Sequence, residues 1–308
     1  MVDLTAILHA DKSLKDCDDA LIAQSKKELP RPYLGASSIG EQCSRKLWYR
    51  FRWLRETFDS LTLKRFRDGH ITENTVVEQL RLKYAVTDTQ WGFNDIDGHF
   101  SGHIDGIIEG LVESKVPHVL EIKATGDKKF AELKKAKAEL GEKMALRKWN
   151  PTYYAQIVLY MFYKKLTRSF HVVATAGGRD WMSIRTESDN TYAKMLIDRA
   201  KRIIYANDAP EGISRDPSFY ECKMCSMFNV CHNKELPPRQ CRVCVHSSPV
   251  ADGKWSCKLY GEIDYEKQLV GCPSHAYLPS FIAGEVVSAT ETSITYKMKS
   301  GEIFIDGV

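Results

Sequence analysis

The sequence predicts an α/β fold with a small cysteine-rich appendage, and three observations carry that prediction. Strand-like runs punctuated by glycine, "TQWGFNDIDGHFSGHIDGIIEG" and "PHVLEIKAT", precede long helical patterns, and a second strand pair, "SFHVVATAG" and "WMSIRTES", follows them. All but Cys17 and Cys43 of the nine cysteines fall between Cys222 and Cys272. At 308 residues, 43% hydrophobic and 27% charged, the chain has the composition of a globular protein with room for one large core and an appendage.

The net charge of +4 does not by itself announce a nucleic-acid binder. The N-terminal stretch "MVDLTAILHADKSLKDCDD" has neither a basic n-region nor a long apolar run, and no segment approaches the roughly 18 apolar residues of a membrane helix. A cytoplasmic protein without membrane association is expected. In a reducing compartment nine cysteines argue for metal sites rather than disulfides.

Residues 1–30 are polar, with a short helix expected before the loop "LPRPYLGASS". From Cys43 to Tyr84 the pattern is mostly helical, and His70, Glu73, Val77, Leu80 and Tyr84 fall on one face at spacings of three and four. Around "HFSGHID", alternation puts His99, Ser101, His103 and Asp105 on the polar face of a strand. In "HVLEIKATGD" the same alternation gives Leu120, Ile122 and Ala124 to the core, while Val119, Glu121 and Lys123 share the other face. Neighbouring strands about 4.8 Å apart bring Asp105 and Glu121 close enough to share one cation.

Residues 127–148 read as a helix crowded with Lys128, Lys129, Lys134, Lys135, Lys137, Lys143, Arg147 and Lys148, either a nucleic-acid face or a solvated one. Asn150 and Pro151 are an N-cap and first-turn proline for the apolar helix that carries Gln156 and Tyr160 one turn apart. A further helix covers "TYAKMLIDRAKRIIYAND".

Four features therefore follow in order: Gly69-x-x-x-Glu73, Gly102-x-x-Asp105, Glu121-x-Lys123 and Gln156-x-x-x-Tyr160. Together they resemble the PD-(D/E)xK nuclease superfamily, in the branch of the RecB nuclease domain and the CRISPR-associated RecB-type exonucleases. The resemblance covers residues 35 to 232 and implies a mixed sheet flanked by helices. It implies that Asp105, Glu121 and the backbone oxygen of Ile122 hold Mg²⁺ or Mn²⁺, with Glu73, or His70 one turn earlier, as a further ligand. Lys123 would orient or help deprotonate the attacking water and stabilise the phosphate, and Gln156 and Tyr160 would position Lys123 and the DNA backbone. The sequence departs from the pattern in having Ile104-Asp105 for Pro-Asp and Glu73 where the branch often has histidine.

The cysteines divide into Cys222, Cys225 and Cys231, which with Cys43 make four, and Cys241, Cys244, Cys257 and Cys272. The first four resemble the set that clasps RecB-type nucleases around a [4Fe-4S] cluster; zinc is the competing occupant. The second four have zinc-ribbon spacing, with His246 and His275 as alternative ligands and a second cluster as the alternative to zinc. Lys254, Trp255, Lys258 and Tyr260 interleave charge with rings, suiting either single-stranded nucleic acid or an ordinary surface.

The expected organisation is a polar helical extension over 1–30, a nuclease domain over 31–235, a zinc-ribbon-like module over 236–280 and a C-terminal β-hairpin over 281–308. The expected activity is a metal-dependent DNA exonuclease acting on single-stranded or duplex ends in recombination, repair or spacer acquisition. A single-strand annealing protein, a helicase or CRISPR adaptation proteins are the candidate partners. The alternatives are a catalytically quiet nucleic-acid-binding module and a DNA endonuclease.

Overall fold

The computed structural model describes residues 11–308, so the first ten residues of the expected extension lie outside the described residues. The rest of the extension is helix α1, Lys12–Ser25, capped by Asp11 and burying none of its side chains. It is tethered from outside, by Asp18 to the Ser60 hydroxyl (3.0 Å) and to Lys64 (2.5 Å).

Strand β1, Leu34–Gly35, and helix α2, Ser44–Phe51, open the main body. Helix α3, Ser60–Arg81, is capped by Asp59, whose carboxylate accepts from the Thr62 N–H at 2.7 Å. Its buried stripe is Thr72, Val76 and Leu80, at intervals of four. The face expected from spacing lies one residue to the side of this stripe: Glu73, Val77 and Tyr84 are half-buried and His70 is exposed.

Next come β2, Ala85–Thr87, β3, Gly92–Asp95, β4, Phe100–His103, β5, Gly106–Glu109, and β6, His118–Thr125. The single basic helix expected over 127–148 is two helices, α4, Asp127–Leu140, and α5, Glu142–Trp149. They are broken at Gly141, whose φ of 72° is left-handed. Helix α6, Pro151–Lys164, starts as expected, with the Asn150 side chain accepting from Thr152 and Tyr153 N–H groups at 3.1 Å. Strands β7, Arg168–Thr175, and β8, Trp181–Glu187, and helix α7, Asn190–Ile204, complete the body.

The main sheet has the order β2-β5-β6-β7-β8. It is mixed: β6 and β7 are parallel, and every other neighbouring pair is antiparallel. A parallel pair needs a crossover, and α4, α5 and α6 supply it. Strand β4 belongs to a separate sheet of order β1-β4-β3, so the chain changes sheets between His103 and Gly106.

Both faces of β6 are covered. Leu120 and Ile122 pack under Val76 and Leu80 of α3, and Val119 joins the larger core with Ile157 and Val158 of α6. The expectation of one core face and one solvent-facing charged face therefore fails. Glu121 is 1% exposed, because α6 closes over the side that alternation alone leaves open.

Beyond α7, β9, Ser247–Pro249, β10, Trp255–Cys257, and β11, Gly261–Ile263, form a small antiparallel sheet within the cysteine-rich stretch. The segment expected as a hairpin has three strands: β12, Gly284–Ala289, β13, Ser293–Met298, and β14, Ile303–Gly307. The second turn passes through Gly301 at a φ of 88°. Among the described residues no helix is long and apolar enough to cross a membrane.

Candidate active site

Asp105 stands at the seam between the two sheets rather than within a strand, and is 8% exposed. The register that pairs Gly106 with Leu120 brings it beside β6, where its Oδ2 accepts from the Ile122 N–H at 2.6 Å. Glu121 follows one residue before Ile122. Its Oε1 accepts from Lys123 Nζ and, at 2.7 Å, from Gln156 Nε2, which also donates to the Tyr160 hydroxyl at 3.0 Å. Gln156 thus holds Glu121 rather than Lys123, a correction to the role that the resemblance implied.

Glu73 of α3 completes the group. Its carboxyl stands near enough to that of Asp105 for their charges to repel, and it accepts from Gln90 Nε2 at 3.3 Å. Exposed His70 contributes only its charge to Asp105, so of the two helix candidates Glu73 is the one brought in. His99 and Ser101, expected on the same polar face as Asp105, are instead buried, and His99 Nε2 contacts the Val250 carbonyl at 2.7 Å.

Electrostatics follows from crowding. Burial, then the Asp105 charge, pushes Glu121 up to about 8 and Glu73 up to about 7, and burial also raises Asp105. Burial alone would lower Lys123, but Glu121 and Asp105 outweigh it and hold the ammonium charged. The second oxygen of Glu121, Oε2, is buried, with no hydrogen-bond partner among the described residues. Three carboxyls and an orphaned oxygen are a donor set that suits a hard divalent cation. Even so, among the described residues no three His, Cys, Asp or Glu side chains stand in the arrangement of a metal-holding group.

Three residues near the site carried no signal in the sequence. Gln90 reaches Glu73 from a loop in left-handed conformation, φ 60°. The ring of Tyr153 lies 5.6 Å from Lys123 Nζ. His171 of β7 is paired with Glu121 across β6 and β7. Only the strand register, a tertiary property, reveals it.

The basic face is largely spoken for. Lys134 pairs with Asp180 (2.9 Å), Lys135 with Glu139 (3.8 Å), Lys137 with Glu142 (2.7 Å) and Lys143 with Glu187 (2.8 Å). Arg147 lies over the Tyr154 ring at 5.4 Å. Among the described residues, Lys128, Lys129 and Lys148 form no ion pair and are exposed. On the small sheet, Trp255 is fully buried, so of the expected stripe Lys254, Lys258 and Tyr260 stay on the surface, with Lys254 paired to Glu262 at 3.0 Å.

All nine thiols are free. Cys43, at the start of α2, shares a cavity of about 410 Å³ with Cys222, Cys225 and Cys231, and Arg45 Nη1 donates to Cys231 Sγ at 3.6 Å. Cys241, Cys244, Cys257 and Cys272 line a second cavity, of about 550 Å³, with His246 and His275. Beside it Arg52 and Arg242 are 2% and 0% exposed. Their hydrogen bonds end on carbonyls of Arg242, Ala206, Pro32 and Phe51 and on the Gln268 amide, never on a carboxylate. Burial lowers Arg242 to about 8 and Arg52 to about 10, and the anions that support Arg52 are Asp208 and Cys244.

No protein-family model matches the chain, and no curated protein matches it in sequence. Among solved structures it resembles an alkaline exonuclease (LHK-Exo) from Laribacter hongkongensis, at 12% identity and a TM-score of 0.40, over 60% of this chain and 90% of that one. It also resembles the protein SSO0001, at 15% identity and a TM-score of 0.40, over 72% of this chain and 96% of that one. A phage related exonuclease from Haemophilus somnus 129PT gives 12% identity and a TM-score of 0.38, over 56% of this chain and 91% of that one.

Proposed function

We propose that the protein is a metal-dependent deoxyribonuclease that hydrolyses phosphodiester bonds at DNA ends. One observation carries the reading: Asp105, Glu121 and Glu73 converge with Lys123 in a space where their ionised forms repel one another and Glu121 Oε2 has no partner. Structural ion pairs do not gather two buried acids and a half-buried third against one lysine, because desolvation then exceeds the Coulombic gain. A divalent cation relieves that repulsion.

Bound Mg²⁺ or Mn²⁺ would supply Lewis acidity and a water made acidic enough to attack near neutral pH. Asp105 and Glu121 would hold it, with the Ile122 carbonyl and Glu73 completing the protein's share. Gln156 keeps Glu121 in place through the Oε1 hydrogen bond, and Tyr160 keeps Gln156 in place. Lys123 is held as the ammonium, which suits stabilising charge on the phosphate oxygens rather than removing a proton.

The two cysteine sets fit thiolate sites. Four thiolates are what an iron–sulfur cluster needs, Cys43, Cys222, Cys225 and Cys231 line one cavity, and [4Fe-4S] is the proposed occupant of this group. Zinc is proposed for the Cys241 group. Burial pushes Cys241 up to about 11 and also raises Cys244, so these two become anionic near neutral pH only on a metal, and a Cys244 thiolate supports the buried Arg52.

Digestion of end-labelled linear and closed circular DNA, single- and double-stranded, with Mg²⁺, Mn²⁺ or EDTA tests the activity. Linear DNA is expected to be shortened from its ends with either ion, and circles to persist. Cleaved circles would make the protein an endonuclease, and binding without cleavage would leave a nucleic-acid-binding module. Metal analysis after oxygen-free purification tests the cysteine sets: Cys43→Ser should lose iron to the same degree as Cys225→Ser and keep its zinc.

A further inference from the structure

The hydrolytic site as described leaves one buried polar residue beside it without a role. His171 is fully buried, and among the described residues neither of its ring nitrogens has a hydrogen-bond partner. Residues paired across neighbouring strands project from the same face, and the register pairs His171 with Glu121. Its ring centroid is 6.0 Å from that of Tyr153, over which Lys123 Nζ lies at 5.6 Å. The orphaned imidazole and the orphaned Oε2 of Glu121 thus stand at one register position, under the same helix, α6, without bonding one another, so that a turn of either side chain would be needed to pair them.

The imidazole carries at least one N–H donor whether neutral or protonated. A residue kept there for packing alone would be better served by leucine, since a buried polar group without a partner destabilises the fold.

We propose that His171 is a positioning residue of the hydrolytic site, the donor that serves Oε2 of Glu121 and fixes that carboxylate for a divalent ion. The proposal rests on the hydrolytic reading. Groups that orient a metal-holding carboxylate typically change metal affinity by about 10- to 100-fold when removed. His171 would act at that level while touching neither the ion nor the DNA.

Mn²⁺ binding to the full-length protein, followed by electron paramagnetic resonance, tests this together with thermal melting without added Mn²⁺. Wild type, His171→Leu, His171→Gln and Glu121→Gln are compared. His171→Leu is expected to weaken Mn²⁺ binding about 10-fold or more while melting at or above the wild-type temperature. His171→Gln, which keeps an N–H donor, should recover most of the affinity. Should His171→Leu not fold, His171→Phe takes its place in the same comparison. Wild-type affinity in the apolar variant overturns the proposal and leaves the hydrolytic reading standing. Equal losses of affinity and melting temperature in the leucine and glutamine variants overturn it too, since they mark a packing role. If wild type has no Mn²⁺ site sensitive to Glu121→Gln, the hydrolytic reading itself fails.

Discussion

Glu121 concentrates the chemistry of the site, with Lys123 and Gln156 on one oxygen and nothing on the other. A carboxyl raised in the folded state means that folding favours its protonated form. Stability from this source is complete below the ordinary carboxylate range and is lost as pH rises through about 7 for Glu73 and about 8 for Glu121. Without divalent ions, the melting temperature should therefore fall between about pH 5 and about pH 9. Glu121→Gln should remove most of that fall. Mg²⁺ should restore the wild type at the alkaline end and leave the glutamine variant unmoved. Calorimetric melts across this range check it, and equal slopes in the two proteins would place the pH dependence elsewhere. On an open strand face Glu121→Ala would be harmless to the fold, but here it leaves a gap beneath α6 and takes the acceptor from Gln156.

At the scale of single elements, much was legible because periodicity is local. Asn150-Pro151 announced the start of α6, and Gln156 and Tyr160 are one turn apart in the sequence and hydrogen-bonded in the fold. What stayed hidden depends on distant partners. Nothing in "HVLEIKATGD" reveals that α6 covers Glu121, nor in "HFSGHID" that the chain changes sheets just before Asp105. Trp255 reads as a surface ring until the main body is seen to cover it. The lysines of α4 and α5 teach the same lesson, because the acids of Lys134, Lys137 and Lys143 lie before β8, on α5 and on β8, at Asp180, Glu142 and Glu187. Paired lysines have little charge to offer DNA, whereas Lys128 and Lys129 open α4 immediately after β6, which carries Lys123. Reversing Lys128 and Lys129 to Glu should weaken DNA binding and lower the slope of its salt dependence by about one per lost phosphate contact. Reversing Lys134 and Lys135 should do less, and fluorescence anisotropy titrations at several salt concentrations compare the pairs. A larger effect from the second pair would return the basic face to its simpler reading.

Over the whole molecule, two buried cations help join the cysteine-rich module to the main body. Arg242 lies between Cys241 and Cys244, stacks over Trp53 at 3.6 Å and donates to carbonyls of Pro32 and Phe51, while Arg52 donates back to the Arg242 carbonyl at 2.9 Å. With neutral thiols this arrangement holds two buried positive charges without a carboxylate in contact, which is costly. With four thiolates on the proposed zinc the module would carry net negative charge, which would reach Arg52 through Cys244 and Arg242 from its place between Cys241 and Cys244 in the chain, and the cost would be offset. Zinc binding and docking of the module are then one linked equilibrium. Arg242→Met keeps much of the side-chain volume and removes the charge, and it abandons the same two carbonyls whether or not metal is present. The difference between the loaded and chelated proteins therefore isolates the charge. Chelation should lower the melting temperature of wild type more than that of Arg242→Met, and the variant should release zinc at a lower chelator concentration. An equal drop in both proteins would show that Arg242 docks the module by hydrogen bonds and stacking alone, with the metal serving only the module's own fold.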